Sequence, residues 1–227
     1  MSKFFYFGTS KKSDGQMLLS AGSEAKENRE KFFSRIGIDP TQVVGTILEH
    51  GTNVTTVVAE DAGKIFEKND GLITAEKNLC LTVTVSDCLP IFFYDESSGI
   101  IGIAHAGWRG VVKGIAREMI LKMKQEFSSE PEKIKAIIGP HIKKCHFEIR
   151  ENILSEFVEY PQFVYRESGK IFVDLEQIIR AQLLEVGVLE ENIELSSVCT
   201  FCDQSYFSWR RDKPESVVSQ VAYVWLE

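Results

Sequence analysis

Residues Thr84–Gly110 read TVSDCLPIFFYDESSGIIGIAHAGWRG, and this stretch decides the fold. Two apolar runs, Leu89–Tyr94 and Ile100–Ala104, flank a short polar turn at Asp95–Gly99. Runs of that length, bounded by a turn, predict a hairpin of two buried strands. A hairpin sets the start of its first strand beside the end of its second. Cys88 stands just before the first run, and His105 closes the second. A thiol and an imidazole 17 residues apart (105 − 88) are thereby brought together.

The neighbouring segments extend the pattern. Leu79–Val85 alternates, with Leu81, Val83 and Val85 on one face and Thr82 and Thr84 on the other. Gly110–Phe127 places Val112, Ile115, Met119 and Met123 at helical spacing, which predicts one helix. Upstream, Phe4–Phe7 predicts a short strand, Gly8–Ser23 a loop, and Glu24–Arg35 a helix capped by Ser23 and stopped at Gly37. Val43–Leu48 and Val54–Ala59 are β-branched runs around Glu49–Asn53, which predicts strand, turn and strand with His50 at the bend. Leu72–Thr74 is a short strand at most.

Downstream, Ile134–Ile138 reads as a strand, His141–Ile149 as irregular chain and Glu151–Glu159 as a short helix. Phe163–Tyr165 and Ile171–Val173 flank a Ser168-Gly169 turn. Asp174 caps a helix with Leu175, Ile179, Leu183 and Val186 on one face and Gly187 at its end. Thr200–Lys213 is a polar, aromatic loop, and Val217–Leu226 is a closing strand. Clustered strands and few helices argue for an α+β fold rather than a doubly wound parallel sheet. One domain over residues 1–227 is expected at this length.

Composition narrows the function classes. The net charge is −7, so the basic patch of a nucleic-acid binder is not expected. No apolar run reaches membrane-spanning length, and the N-terminal residues show no secretory signal. Five cysteines, an odd number in a chain of 227 residues, read as reduced thiols of a cytoplasmic protein.

His50, Cys88 and His105 each fall where a strand meets a loop. Two imidazoles and a thiolate suit Zn²⁺, and three protein ligands leave the fourth tetrahedral position open, as catalytic zinc sites do. The same atoms support a second reading, in which Cys88 is a nucleophile, His105 its base and Asp87 an orienting group. A third is that Cys88 is core and His105 merely hydrogen-bonds at a strand end. Arg109, just before a helix, is a candidate anion anchor or else the partner of a carboxylate. Arg210 and Arg211 form a second anion candidate. Cys199-Thr200-Phe201-Cys202 would need two further soft ligands to hold zinc, and no second Cys-x-x-Cys exists, so ordinary reduced thiols are expected there. Cys145-His146 is ambiguous, and Lys143-Lys144 reads as a solvated loop.

Taken together, the blocks EHGTNV, SDCLPIFFYD, GIAHAGWRG, IGPHIKKCHFEI, CTFCDQSYFSWRRD and VAYVWL resemble the laccase-domain family. That family is also called the multicopper polyphenol oxidoreductase or peptidoglycan-editing-factor family, and it includes purine nucleoside phosphorylases. The resemblance runs in order from about Asn28 to the C-terminus. It implies layered mixed sheets flanked by helices and a zinc site of His50, Cys88 and His105. It also implies phosphorolysis of adenosine, inosine and methylthioadenosine, and deamination of adenosine, with purine nucleoside and phosphate as small-molecule partners. Arg109 is the first choice for the phosphate anchor, and Arg210 or Arg211 the second. Copper and polyphenol oxidation also attach to the family, but four histidines are too few for a multicopper centre.

The chain departs from the family pattern at Leu48, at His141, in the N-terminal segment and at Val217-Val218-Ser219. The metal set is intact, and two of the departures, in the N-terminal segment and at Val217-Val218-Ser219, fall on family arginine positions. Two other functions therefore stay open. One is a metal-free Cys–His hydrolase acting on peptidoglycan precursors. The other is a nucleoside-binding protein with reduced catalysis.

Overall fold

The computed structural model describes residues 5–227. Its centre is the hairpin, with strands Leu89–Asp95 and Ile100–Ala106 paired antiparallel and Pro90 opposite His105. Every residue of both strands is buried, because the sheet they belong to is covered on both faces. Fully burying a side chain such as Phe92 or Ile91 contributes about 1.5–3 kcal/mol relative to leaving it in water. This hairpin therefore anchors the core.

The hairpin lies inside a six-stranded sheet ordered Ile193–Leu195, Ile134–Ile138, Leu89–Asp95, Ile100–Ala106, Gly71–Thr74 and Val54–Thr56. A five-stranded sheet is ordered Phe5–Thr9, Gln220–Leu226, Cys80–Val85, Val43–Ile47 and Ile65–Glu67. Both sheets mix parallel and antiparallel pairs. They pack face to face through Leu81, Val83 and Val224 on one side and Leu72, Phe92 and Ile103 on the other. Beyond the six-stranded sheet, helices Ile115–Phe127 and Leu175–Glu185 bury Met119, Met123, Ile179 and Leu183. Beyond the five-stranded sheet, helix Ser23–Arg35 buries Phe32 and Phe33 against Cys80 and Val221. A small sheet of Glu148–Ile149, Lys170–Val173 and Val164–Glu167 completes an α+β architecture of layered mixed sheets flanked by helices.

Four expectations change. Ser23 does not cap the first helix but begins it, after Gly22 and with no side-chain cap. Val43–Ile47 and Val54–Thr56 are not a hairpin; each pairs within a different sheet, and Glu49–Asn53 carries the chain from one layer to the other. β-branched runs report extended backbone but not the sheet it joins. The predicted helix over Gly110–Phe127 is two, Trp108–Lys113 and Ile115–Phe127, broken at Gly114 with φ +89°. Glu151–Phe157 is a 3₁₀ segment rather than an α-helix. Of the Phe4–Phe7 strand, Phe4 lies outside the described residues, and the strand runs Phe5–Thr9.

His141 is fully buried; its Nδ1 lies 2.8 Å from the Gly139 carbonyl, and its Nε2 has no hydrogen-bond partner among the described residues. Burial lowers its pKa from 6.5 to about 3, so it stays neutral even with a Glu176 oxygen 3.6 Å away. The folded chain therefore binds fewer protons at this site than the unfolded chain does. Its contribution to stability is full above about pH 6.5 and is lost as pH falls from there toward 3. At pH 5 the loss is about 2 kcal/mol. Urea midpoints at pH 7 and pH 5 should differ by more in the wild type than in His141→Gln, and equal differences would contradict the assignment.

Candidate functional site

The layer crossing and the hairpin end together. His50 adopts a left-handed backbone, φ 60°, at the crossing, and the Asp70 carboxylate holds it there. Asp70 Oδ1 accepts from the His50 backbone N–H at 2.9 Å, and Oδ2 from the Gly51 N–H at 2.8 Å. The same Oδ1 lies 3.2 Å from His105 Nδ1. One buried carboxylate thus fixes two histidines, the backbone of one and the ring of the other. Burial opposes its charge, but bonds from His105, Gly51 and His50 hold it below the usual carboxylate range.

His50, Cys88 and His105 converge around Gly107. A Cβ at Gly107 would lie 3.2 Å from His50 Cδ2, 3.3 Å from His105 Cε1 and 3.4 Å from Cys88 Sγ. The two rings sit edge to face, 4.9 Å between centroids. The absent side chain at Gly107 is what lets the three groups approach one point. Gly110 serves the same end: a Cβ there would fall 2.7 Å from the Gly51 carbonyl, so the helix beginning at Trp108 docks directly on the His50 turn. Gly107→Ala leaves an ordinary backbone, φ −70°, and crowds all three groups. It is expected to lower metal affinity roughly tenfold or more with the fold retained, as read by metal titration alongside circular dichroism.

Electrostatics suit a cation. Burial works against charge on His105, but the Cys88 sulfur and Asp70 outweigh it and raise the imidazole to about 9. His50 is pushed down by burial and by the neighbouring His105 and Arg109, against Asp70. A set of two imidazoles and one thiol, oriented by an outer carboxylate, is the donor chemistry of a three-ligand metal site.

The three residues line a cavity of about 480 Å³ together with Leu48, Trp108, Arg109 and Trp209. Small-molecule sites span about 300–1,000 Å³. Two further residues lining it, Thr46 and Ser86, carry buried hydroxyls that have no partner among the described residues.

The candidate arginines separate. Arg109 is exposed at the cavity, its guanidinium 4.3 Å from the Trp108 ring centroid, and it makes no ion pair among the described residues. Arg210 donates from its backbone N–H to Asp87 at 2.7 Å and from its side chain to the Glu148 carbonyl at 2.8 Å. It lines an adjoining hollow with Cys88 and Trp209. Arg211 is bound to Asp212 and to the carbonyls of Thr200, Phe201 and Tyr206, so its donors are spent on holding its own loop. Asp87 does not reach His105: its carboxylate accepts from Thr200, Ser208 and Arg210, and Asp70 takes the orienting place. Asp70 was the residue missed. It stands at a strand–loop junction, like His50 and Cys88, and that shared position was its signal.

The two cysteine motifs also meet. Cys145 and His146 come within reach of Cys199 and Cys202, so the two further soft ligands are present in space without a second Cys-x-x-Cys in sequence. Lys143 is not solvated; its ammonium contacts Glu176 and the Ser196 carbonyl.

Two sheets with an open Cys/His₂ pocket at one junction define the class of protein. The chain belongs to the multi-copper polyphenol oxidoreductase laccase family, whose pattern it matches over residues 20–227. It is 32% identical over 208 residues to a purine nucleoside phosphorylase of Bacteroides thetaiotaomicron, covering 84% of this chain and 77% of that one. It is 31% identical over 204 residues to the purine nucleoside phosphorylase YlmD of Bacillus subtilis, covering 84% and 73%. A crystal structure of the hypothetical protein YfiH of Bacillus licheniformis superposes with a TM-score of 0.92 at 27% identity, covering 98% of this chain and 93% of that one. No helix among the described residues is long and apolar enough to cross a membrane.

Proposed function

We propose that this chain is a purine nucleoside phosphorylase acting in the cavity at His50, Cys88 and His105, and that it also deaminates adenosine. Relatives named for the first activity support the reading. The observation that carries it is the convergence of two imidazoles and a thiol beside one guanidinium that has no ion pair among the described residues. A metal-free Cys–His dyad needs Cys88, His105 and Asp70 but has no use for His50 at the same point.

Zinc is the metal proposed, held by His50, Cys88 and His105; bound there, it supplies a Lewis acid. Only two of the four histidines border this cavity, fewer than a multicopper centre requires. Asp70 keeps the His105 ring in one orientation, its Nδ1 committed to the carboxylate and Nε2 left for the site. Arg109 binds the phosphate, because its fork of donors has no carboxylate to satisfy among the described residues and lies at the cavity. Arg210 is a supporting group, and Arg211 is assigned to loop structure. The Thr46 and Ser86 hydroxyls hydrogen-bond the nucleoside, and the Trp209 ring, 46% exposed, offers the base an aromatic face.

In phosphorolysis, a phosphate oxygen bonds to C1′ of the ribose as the C1′–N9 bond breaks. The bonding pair leaves with the purine, which takes up a proton, and ribose 1-phosphate is the second product. Adenosine, inosine and methylthioadenosine share that bond and are the proposed substrates, the last giving 5-methylthioribose 1-phosphate instead. Adenosine incubated with metal-replete protein and phosphate tests the reading, with products resolved by chromatography. Adenine with ribose 1-phosphate is expected, with inosine as the sign of deamination. Neither product from protein holding its metal would overturn it.

A further inference from the structure

The side chains of Cys145, His146, Cys199 and Cys202, on two loops, do not line the cavity. Their ligand atoms all fall within 4.8 Å of one another. Cys145 Sγ is 3.8 Å from Cys199 Sγ, His146 Nδ1 is 3.1 Å from Cys145 Sγ, and Cys202 Sγ is 3.4 Å from His146 Nδ1. A tetrahedral zinc has Zn–S near 2.3 Å and Zn–N near 2.0–2.1 Å, which makes its S···S edges about 3.8 Å and its S···N edges about 3.5 Å. The Cys145–Cys199 and Cys202–His146 separations match those edges, and the 3.1 Å between His146 Nδ1 and Cys145 Sγ is somewhat shorter.

The surroundings hold the donors in place. The Lys143 backbone N–H donates to Cys199 Sγ at 3.4 Å, and the chain turns tightly from Cys199 to Cys202, with the Cys202 N–H on the Cys199 carbonyl at 3.1 Å. The His146 ring stacks on Phe201, centroids 3.9 Å apart, which fixes its plane. Cys145 and Cys202 are exposed, so an ion has a route in.

We propose that these four residues form a second, closed metal centre, a structural Cys₃His zinc site distinct from the open site in the cavity. Three thiolates and one imidazole fill all four tetrahedral positions, the pattern of structural rather than catalytic zinc. The centre staples two segments, 143–146 and 199–202, at the margin of the core, where Cys199 and Phe201 pack against it. The second segment leads into Ser208, Trp209 and Arg210. Ser208 and Arg210 bond Asp87, next to Cys88, and Trp209 lines the cavity. The staple thus fixes the loop that forms one wall of the cavity.

Zinc content per chain, measured by elemental analysis on full-length protein purified without chelator, tests the proposal. The readout does not depend on turnover. A Cys145→Ser/Cys202→Ser variant is expected to lose one zinc per chain, and a variant of the other site, Cys88→Ala, is expected to keep it. In cobalt-substituted protein, strong sulfur-to-cobalt charge transfer should persist in Cys88→Ala and fall to the weaker single-thiolate band of Cys88 in the double variant. Should the double variant fold poorly, wild-type protein supplies the same answer: zinc should protect three thiols from alkylation, mapped to Cys145, Cys199 and Cys202. Unchanged zinc content in the double variant would overturn the proposal. So would alkylation of those thiols that zinc does not slow, or an isolated Cys145–Cys199 disulfide in metal-supplemented protein.

Discussion

Cys88→Ala is expected to lose both the metal of the cavity and nucleoside turnover. The thiol is the single sulfur among the three groups that meet at Gly107. Without it two imidazoles remain, one of them already low in basicity from burial and its charged neighbours. Loss of an outer partner of a metal ligand costs roughly 10–100-fold in affinity or activity, and loss of the ligand itself should exceed that. Cys88 is only half-buried at the edge of the core between the sheets, so the fold should survive and circular dichroism should match the wild type. A dyad hydrolase would also lose activity here. Chelation of the wild type separates the two: activity should fall with the metal and return with added zinc, whereas a metal-free dyad would be indifferent to both steps.

The second large effect is expected at Asp70→Asn. The carboxylate has two oxygens and three donors to satisfy: His50 N–H and His105 Nδ1 on Oδ1, and Gly51 N–H on Oδ2. An amide keeps one oxygen and turns an NH₂ group toward the rest. If the NH₂ faces Gly51, two donors meet and the His50 turn loosens. If it faces His50 and His105, the imidazole loses its orienting acceptor. One buried donor is left unmatched in the first case and two in the second, at about 1–3 kcal/mol of stability each. Metal affinity is expected to fall roughly 10–100-fold. Metal titration combined with thermal melting reads both effects, and unchanged affinity would remove Asp70 from its assigned role.

Much of the architecture was legible because it rests on local signals. The hairpin needs only two apolar runs and a short turn, and its register, Pro90 opposite His105, follows from the turn. The Asp174 cap was visible in the same way, and its carboxylate accepts from Gln177 at 3.2 Å. What failed depends on distance. Nothing in Val43–Leu48 or Val54–Ala59 says that the two strands join different sheets. Gly114 inside a helical run reads as a tolerated residue until the left-handed backbone is seen. Asp70 lies 35 residues before the ring that it orients. Cys145 and Cys199 are 54 residues apart on loops with no periodicity to relate them. Arg211 reads as an anion binder by type, but four nearby carbonyls and Asp212 claim its donors. Side-chain chemistry was evident from sequence, and the partner each side chain would find was not.

The most direct measurement is the phosphate dependence of hypoxanthine release from inosine by metal-replete protein, with Arg109→Ala run beside it. Release should require phosphate, saturate with it, and yield ribose 1-phosphate in equal amount. Arg109→Ala should demand markedly more phosphate for the same rate. Hypoxanthine release that ignores phosphate, or none from protein shown to hold its metal, would contradict a phosphorylase site at His50, Cys88 and His105.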